Sequence, residues 1–217
     1  KILKMGSDIP HYPVYLLAGT VLWSFFSECT NQGIQAIVAR GDLLRKISFP
    51  KWILVVSATV TALINFLINL GVVIIFALVN GVTPHLGWLL VPFVILELYL
   101  LALGISFFLG AINVKYRDIS SIWEVFMQAL FYAVPVIYPI TMVASASPFA
   151  AKIFLLNPIA QVIQDVRYFL ITDQTITTWN YLPERLLYFI PISIVLLIIF
   201  IGGIYFRKRS KYFAEEA

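Results

Sequence analysis

Charged residues are scarce in this chain, at 12% of its 217 residues, whereas a soluble domain carries about 25%. Cysteine occurs once, at Cys29, which excludes an internal disulfide. Histidine occurs only at positions 11 and 85, and without paired cysteines or an H-E-x-x-H segment a zinc site is not predicted. The sequence also lacks the G-x-x-x-x-G-K-[ST] loop that holds nucleotide phosphates and any serine matched with a histidine and an acid. We therefore expect no enzyme chemistry and no cofactor in this chain itself.

Apolar sequence is abundant: hydrophobic residues make up 61% of the chain and its mean hydropathy is +0.92. A helix needs roughly 20 apolar residues to cross the hydrocarbon core of a bilayer. The apolar runs are continuous rather than alternating, which favours helices over barrel strands. The predicted fold is all-α, a polytopic transmembrane helical bundle with five spans in a single domain over residues 1–217. The predicted spans are residues 14–31, 52–79, 88–114, 122–140 and 186–206.

Lysine and arginine indicate the orientation, because they accumulate in short loops on the cytoplasmic side. Basic clusters follow the first, third and fifth predicted spans, whereas residues 80–87 contain no lysine or arginine and residues 141–185 contain three. We expect the amino end of this sequence outside and its carboxyl end in the cytoplasm. Since the basic residues adjoin spans, no nucleic-acid partner is predicted. Nothing at the start has the layout of a cleavable signal, and we expect a further span ahead of residue 1.

The outward segment 141–185 is too long to be a simple connection between helices. Within it, residues 147–156 and 159–170 are mostly apolar and about 10 to 12 residues long, which is typical of re-entrant or interfacial helices. Asn157 and Pro158 separate the two, because proline disfavours helix at the residue before it. We predict a re-entrant helical hairpin on the outer side, which includes Arg167 and borders an exit path. An amphipathic pair lying on the membrane surface is the alternative.

The cytoplasmic loop after the first span combines a helix cap, apolar surface and positive charge. Asp42 can cap a short helix, and the Phe49-Pro50 pair ends it. Such a segment suits docking to a cytosolic partner, although a positively charged loop beside a membrane would look much the same. The predicted coupling loop comprises Asp42, Leu43, Leu44, Arg45, Lys46, Ile47, Phe49 and Pro50.

A second cytoplasmic turn lies between the third and fourth predicted spans. It is formed by Tyr116, Arg117 and Asp118. Asp118 can cap the helix that follows, and the Arg-Asp pair can contact another loop. The alternative is a charged turn that only keeps its ends in water.

Polar and aromatic side chains within the spans are candidates for a translocation path. Glu97 lies well inside the third span, where an ionised carboxylate costs a few kcal/mol and is by default a functional candidate. It either faces a wet cavity or sits protonated between helices. Aromatic rings near span ends are usually membrane anchors, but carbohydrate paths also use aromatic faces. The candidate path residues are Trp23, Phe26, Tyr132, Tyr138 and Glu97.

An ordered set of segments resembles the ABC-2 type permeases that export O-antigen and teichoic acid. The segments are YPVYLLAG at 12–19, LWSFF at 22–26, LLRKISFP at 43–50, NVKYRDI at 113–119, PVIYP at 135–139 and NPI at 157–159, and the likeness ends near Arg167. No single motif is decisive, but the order is quite specific. The family has an amphipathic helix and another span ahead of what is seen here.

The resemblance implies a bacterial cytoplasmic-membrane protein that pairs with a second copy of itself and with two cytosolic ABC ATPase subunits. ATP and magnesium would act in those partners, and a glycan or lipid-linked glycan would cross along the dimer interface. In the family, the loop at 43–50 contacts the ATPase, and two short outward helices border the exit. An ABC-2 exporter of drugs or small lipids is one alternative. A proton-coupled secondary transporter that uses Glu97 is another, although no second buried ion-coupling residue is evident.

Overall fold

The computed structural model describes residues 9–42, 49–182 and 185–213, and within these ranges the secondary structure is helical, with no β-strand. Short 3-10 turns precede α3 at Leu86–Leu90 and α9 at Arg185–Phe189, and another follows α1 at Val38–Arg40. The predicted all-α class is confirmed for this part of the chain. In chain order the helices are α1 (Tyr12–Gln35), α2 (Trp52–Val79), α3 (Val91–Asn113), α4 (Ile119–Ala133), α5 (Ile140–Ala146), α6 (Pro148–Leu156), α7 (Pro158–Leu170), α8 (Thr178–Tyr181) and α9 (Ile190–Arg209).

Among the described residues, three helical segments are long and apolar enough to cross a membrane: Trp52–Val79, Leu86–Asn113 and Leu187–Arg209. At about 1.5 Å per residue they reach roughly 35 to 42 Å, which exceeds a hydrocarbon core of about 30 Å. Large apolar side chains on them are exposed, including Ile68 at 67% and Phe93 at 70%. Such surface is disfavoured in water and accepted in lipid. The chain is therefore a multi-pass membrane protein.

The predicted spans 14–31 and 122–140 are not among these three segments. The first, at 14–31, lies within α1, a continuous helix of 24 residues, and its membrane crossing stays a prediction. The prediction of one continuous helix over 122–140 is wrong, because α4 has 15 residues and ends at Ala133. Pro135 and Pro139 follow; each lacks an amide hydrogen and disfavours helix at the residue before it. A helix of this length reaches only about 22 Å.

The two short helices predicted within residues 141–185 are present as α6 and α7, with the break at Asn157, and the side of the membrane on which they lie stays a prediction. The Ser147 side chain caps α6 by accepting from the Ala150 amide at 3.3 Å. Asn157 caps α7 by accepting from the Ile159 amide at 3.0 Å. Proline at the first position of each helix fits because that amide has no helical partner. Their depth in the membrane stays a prediction, and the short helices α5 and α8 on either side were not predicted.

The chain divides into two compact units. One comprises Lys1–Ser24, Phe66–Leu98 and Phe131–Ile194, and the other Phe25–Asn65, Tyr99–Leu130 and Val195–Ala217. The first unit holds the core around α7, in which 12 of its 13 residues are buried. The second holds a core whose buried residues are Ala36, Ile37, Leu54, Val55, Ala111, Val114, Phe206 and Phe213.

Candidate functional site

Arg167 on α7 is fully buried in the first unit, and backbone carbonyls accept most of its hydrogen bonds. Its Nε donates to the Tyr15 carbonyl at 3.1 Å, and its Nη1 donates to the Pro135 carbonyl at 2.8 Å. Nη1 also donates to Gln164 Oε1 at 3.0 Å, and Nη2 donates to the Val136 carbonyl. The guanidinium carbon lies 3.7 Å from the centroid of the Tyr15 ring. Burial lowers the pKa of Arg167, and its interaction with Tyr15 opposes that shift.

The absence of a side chain at Gly19 makes this arrangement possible. A Cβ there would lie 2.3 Å from Arg167 Nη2 and 2.7 Å from the Val136 carbonyl oxygen. Both distances are too short for any real contact, so α1 admits the guanidinium only at a glycine. Arg167 thereby joins α1, α7 and the non-helical segment after α4. The carbonyls of this segment have no helical partners because the helix ends before it, and Arg167 supplies hydrogen-bond donors to them.

The buried Gln161 and Asp165 form a second polar group in the same unit with Glu97, which is partly buried. Gln161 Nε2 donates to Glu97 Oε2 at 3.5 Å and to Asp165 Oδ2. Gln161 is 7% exposed and Asp165 is 2% exposed. Glu97 Oε1, Asp165 Oδ1 and the amide oxygen of Gln161 have no hydrogen-bond partner among the described residues. Two ionised carboxylates with one shared amide would be poorly stabilised here, so the group is suited to holding a proton.

Burial raises the pKa of Asp165 from 3.8 to about 7. The hydrogen bond from Gln161 opposes this shift, and the charge of Glu97 adds to it. The protonated carboxyl group retains an acceptor oxygen for Gln161 and avoids the cost of a buried charge. Sequence analysis found Glu97 but missed Gln161 and Asp165. The i, i+4 spacing of Gln161 and Asp165 on one face of α7 was the sequence signal for their contact with each other. Their contact with Glu97 could not be predicted, because Glu97 is 64 positions from Gln161 in sequence.

The aromatic residues predicted to line a translocation path differ in their surroundings. Trp23 is 8% exposed and packs edge-on against Phe131 with ring centroids 5.5 Å apart. Phe26 is fully buried within the other unit. Tyr132 is 71% exposed, and the Tyr138 hydroxyl donates to the Tyr132 carbonyl at 3.1 Å. The structure thus brings Tyr132 and Tyr138 together, and a substrate contact for these aromatics stays a prediction.

The predicted coupling loop lies only partly within the described residues. Asp42 is exposed, and Phe49 packs against the buried cluster that includes Val55 and Phe213. Pro50 is exposed before α2 begins. Leu43, Leu44, Arg45, Lys46 and Ile47 lie outside the described residues.

The turn predicted to face the cytoplasm connects α3 and α4, and its residues Tyr116, Arg117 and Asp118 are exposed. Lys115 Nζ lies 5.4 Å from the centroid of the Tyr116 ring. The helix that follows begins at Ile119. The amide of Ser120 donates to Asn113 Oδ1 at 3.3 Å, so Asn113 at the end of α3 satisfies a first-turn amide of α4.

Residues 3–171 match the family model described as "ABC-2 type transporter". The chain belongs to this family. Three curated relatives carry the name "O-antigen export system permease protein RfbA". The Myxococcus xanthus protein is 31% identical over 214 residues, which cover 98% of this chain and 78% of the relative.

The other two relatives come from Klebsiella pneumoniae. One is 26% identical over 214 residues, again covering 98% of this chain and 78% of the relative. The other is 26% identical over 162 residues, covering 74% of this chain and 61% of the relative. The similarity of this ABC-2 chain therefore extends over both compact units and across all three spans.

Proposed function

We propose that this chain is the membrane permease subunit of an ATP-driven ABC exporter that moves a cell-envelope polysaccharide or a lipid-linked glycan across the cytoplasmic membrane. The observation that carries the proposal is the match of 98% of the chain to O-antigen export permeases, together with the family match over 3–171. The three apolar spans suit such a role.

The energy source in this proposal is a separate ABC ATPase, which binds ATP and magnesium. The sequence has no phosphate-binding loop of its own, so coupling requires a docking segment. The loop from Asp42 to Pro50 is that segment in the proposal, with a second copy of the chain completing the path. The glycan would leave beside the outward helices α6 and α7, which the proposal takes as a re-entrant hairpin.

Proton coupling is the second candidate, and the pair of acids Glu97 and Asp165 favours it. From sequence, no second buried ion-coupling residue is evident beside Glu97, whereas in the structure Gln161 links Glu97 to the buried Asp165. The family assignment favours ATP as the energy source. If ATP drives transport, the polar group of Glu97, Gln161 and Asp165 has a structural role.

Co-expression with a candidate ABC ATPase partner tests the proposal. We expect the two proteins to co-purify and the complex to transport defined glycans in vesicles. The double variant Leu43→Asp, Leu44→Asp should insert normally but lose most of the permease-dependent stimulation of ATP hydrolysis, because charge replaces the apolar docking surface. Normal yield and size-exclusion behaviour of the variant provide the control. Unchanged stimulation and transport would contradict the docking role.

A further inference from the structure

A cavity of about 530 Å³ lies at the basic end of α9, within the second unit. Its walls include the aromatic side chains Phe49, Trp52, Phe107 and Phe206. The rings of Phe107 and Phe206 pack with their centroids 5.0 Å apart, so this part of the wall is built from mutually supported rings. A volume of this size falls within the range of about 300 to 1,000 Å³ that is typical of ligand sites.

Two cations, Lys51 and Arg207, line the same cavity, and the described lining contains no acidic side chain. Lys51 is held in place, because its Nζ donates to the Ser210 carbonyl and lies 5.8 Å from the centroid of the Phe213 ring. Arg207 is exposed and begins the basic run at the end of α9. The described lining therefore offers positive charge to a ligand and no carboxylate that would neutralise it.

Two adjacent glycines of α9, Gly202 and Gly203, lie beside this cavity and differ in the space around them. A Cβ on Gly202 would lie 2.3 Å from the Gly104 carbonyl oxygen, so α9 and α3 approach backbone to backbone there. A Cβ on Gly203 would meet no atom within 4 Å, and Gly203 lines the cavity. Gly203 thus leaves open apolar space next to Arg207.

We propose that this cavity binds an anionic membrane phospholipid, with its phosphate at Lys51 and Arg207 and the start of an acyl chain along the aromatic walls and Gly203. Cations at the end of a span lie at headgroup depth, where basic pockets bind anionic lipids. A free phosphate ion would fill only a small part of the volume and would leave the aromatic walls without a partner. The combination of charge and apolar surface therefore favours a phospholipid over a free anion.

Binding of phosphatidylglycerol to the purified full chain, measured by native mass spectrometry or by displacement of a fluorescent analogue, tests this proposal without glycan or ATPase. We expect phosphatidylglycerol to bind in preference to phosphatidylcholine. Arg207→Gln should weaken phosphatidylglycerol binding about tenfold or more, because a charge-assisted hydrogen bond is lost. Lys208→Gln is the matched control, since Lys208 is also exposed on the same helix end but does not line the cavity. It should change the affinity less than twofold.

Gly203→Leu provides an independent test, because its side chain would occupy the acyl-chain space while both cations remain. We expect it to abolish binding, with Gly203→Ala giving a smaller loss, and an unchanged melting temperature would confirm intact folding. Equal losses for Arg207→Gln and Lys208→Gln would overturn the proposal in favour of general charge attraction. Displacement of the lipid by millimolar inorganic phosphate, or stronger binding of a long-chain isoprenoid phosphate than of phosphatidylglycerol, would also overturn it. If Gly203→Leu fails to fold, the Arg207 and Lys208 comparison still decides.

Discussion

Arg167 carries a positive charge into a part of the protein where its side chain is fully buried. Backbone carbonyls of Tyr15, Pro135 and Val136 accept from it, and none of its acceptors among the described residues is a carboxylate. A guanidinium suits this role because it presents five donors in a fixed planar fork. Its function is therefore to fix α1, α7 and the segment after α4 relative to one another within the first unit.

Gly19→Ala should destabilise the protein by about 1 to 3 kcal/mol, because the added methyl group would overlap the guanidinium. Gly71→Ala is the matched control, since a Cβ at Gly71 would meet no atom within 4 Å. That change should be neutral or slightly stabilising, as alanine favours helix over glycine. Thermal unfolding in detergent measures both variants. Equal melting temperatures for the two variants would show that the contact between Gly19 and Arg167 does not restrict the fold.

Asp165 makes stability depend on pH in a direction that follows from its raised pKa of about 7. The folded state holds the proton more tightly than the unfolded state, so stability is lost as the pH rises from about 4 through 7. Asp165→Asn removes this loss. We expect the variant to melt at a higher temperature than the parent at pH 8 and to show a flatter pH profile between 5 and 8.

Asp173→Asn is the control for this comparison, since Asp173 is exposed on the loop after α7. It should leave the pH profile of the parent unchanged. A parent protein whose melting temperature rises between pH 5 and 8, with Asp165→Asn below it at pH 8, would contradict a buried proton at this position.

Helices α6 and α7 show which features of a helix can be predicted from sequence. Asn157-Pro158 marks the break between α6 and α7 because a cap and a proline act locally, and the predicted bounds differ from the observed ones by one residue. The break after α4 was missed, although Pro135 and Pro139 gave the same local signal, because the surrounding sequence is apolar enough to resemble a span. The tertiary partners of α7 could not be predicted, since Arg167 is 152 positions from Tyr15.

Cysteine labelling determines the side of the membrane on which α6 lies. Ile153→Cys is the best position, because Ile153 is 53% exposed whereas Asn157 caps α7. In a background with Cys29→Ser, we expect a membrane-impermeant thiol reagent to label Ile153→Cys from outside only. Tyr116→Cys on the opposite predicted side should react only after the membrane is permeabilised. The reverse pattern for the two positions would invert the predicted topology.

For the whole molecule, we propose that ATP hydrolysis in a partner, rather than a proton gradient, drives export. The partly buried Glu97 and the buried Asp165 make proton coupling the alternative energy source. A proton-coupled carrier needs a carboxylate that gains and loses its proton during transport. An ATP-driven exporter has no such need, and glutamine at position 97 would still offer an oxygen to the Gln161 amide.

Glycan transport in vesicles that contain the permease and its ATPase, measured with and without a proton ionophore, tests the claim most directly. We expect transport to survive the ionophore and Glu97→Gln within about twofold, and to stop when the ATP site of the partner is inactivated. The melting temperature of Glu97→Gln is the control for folding. Transport that collapses with Glu97→Gln in a normally assembled complex, and that continues without ATP hydrolysis, would contradict the account.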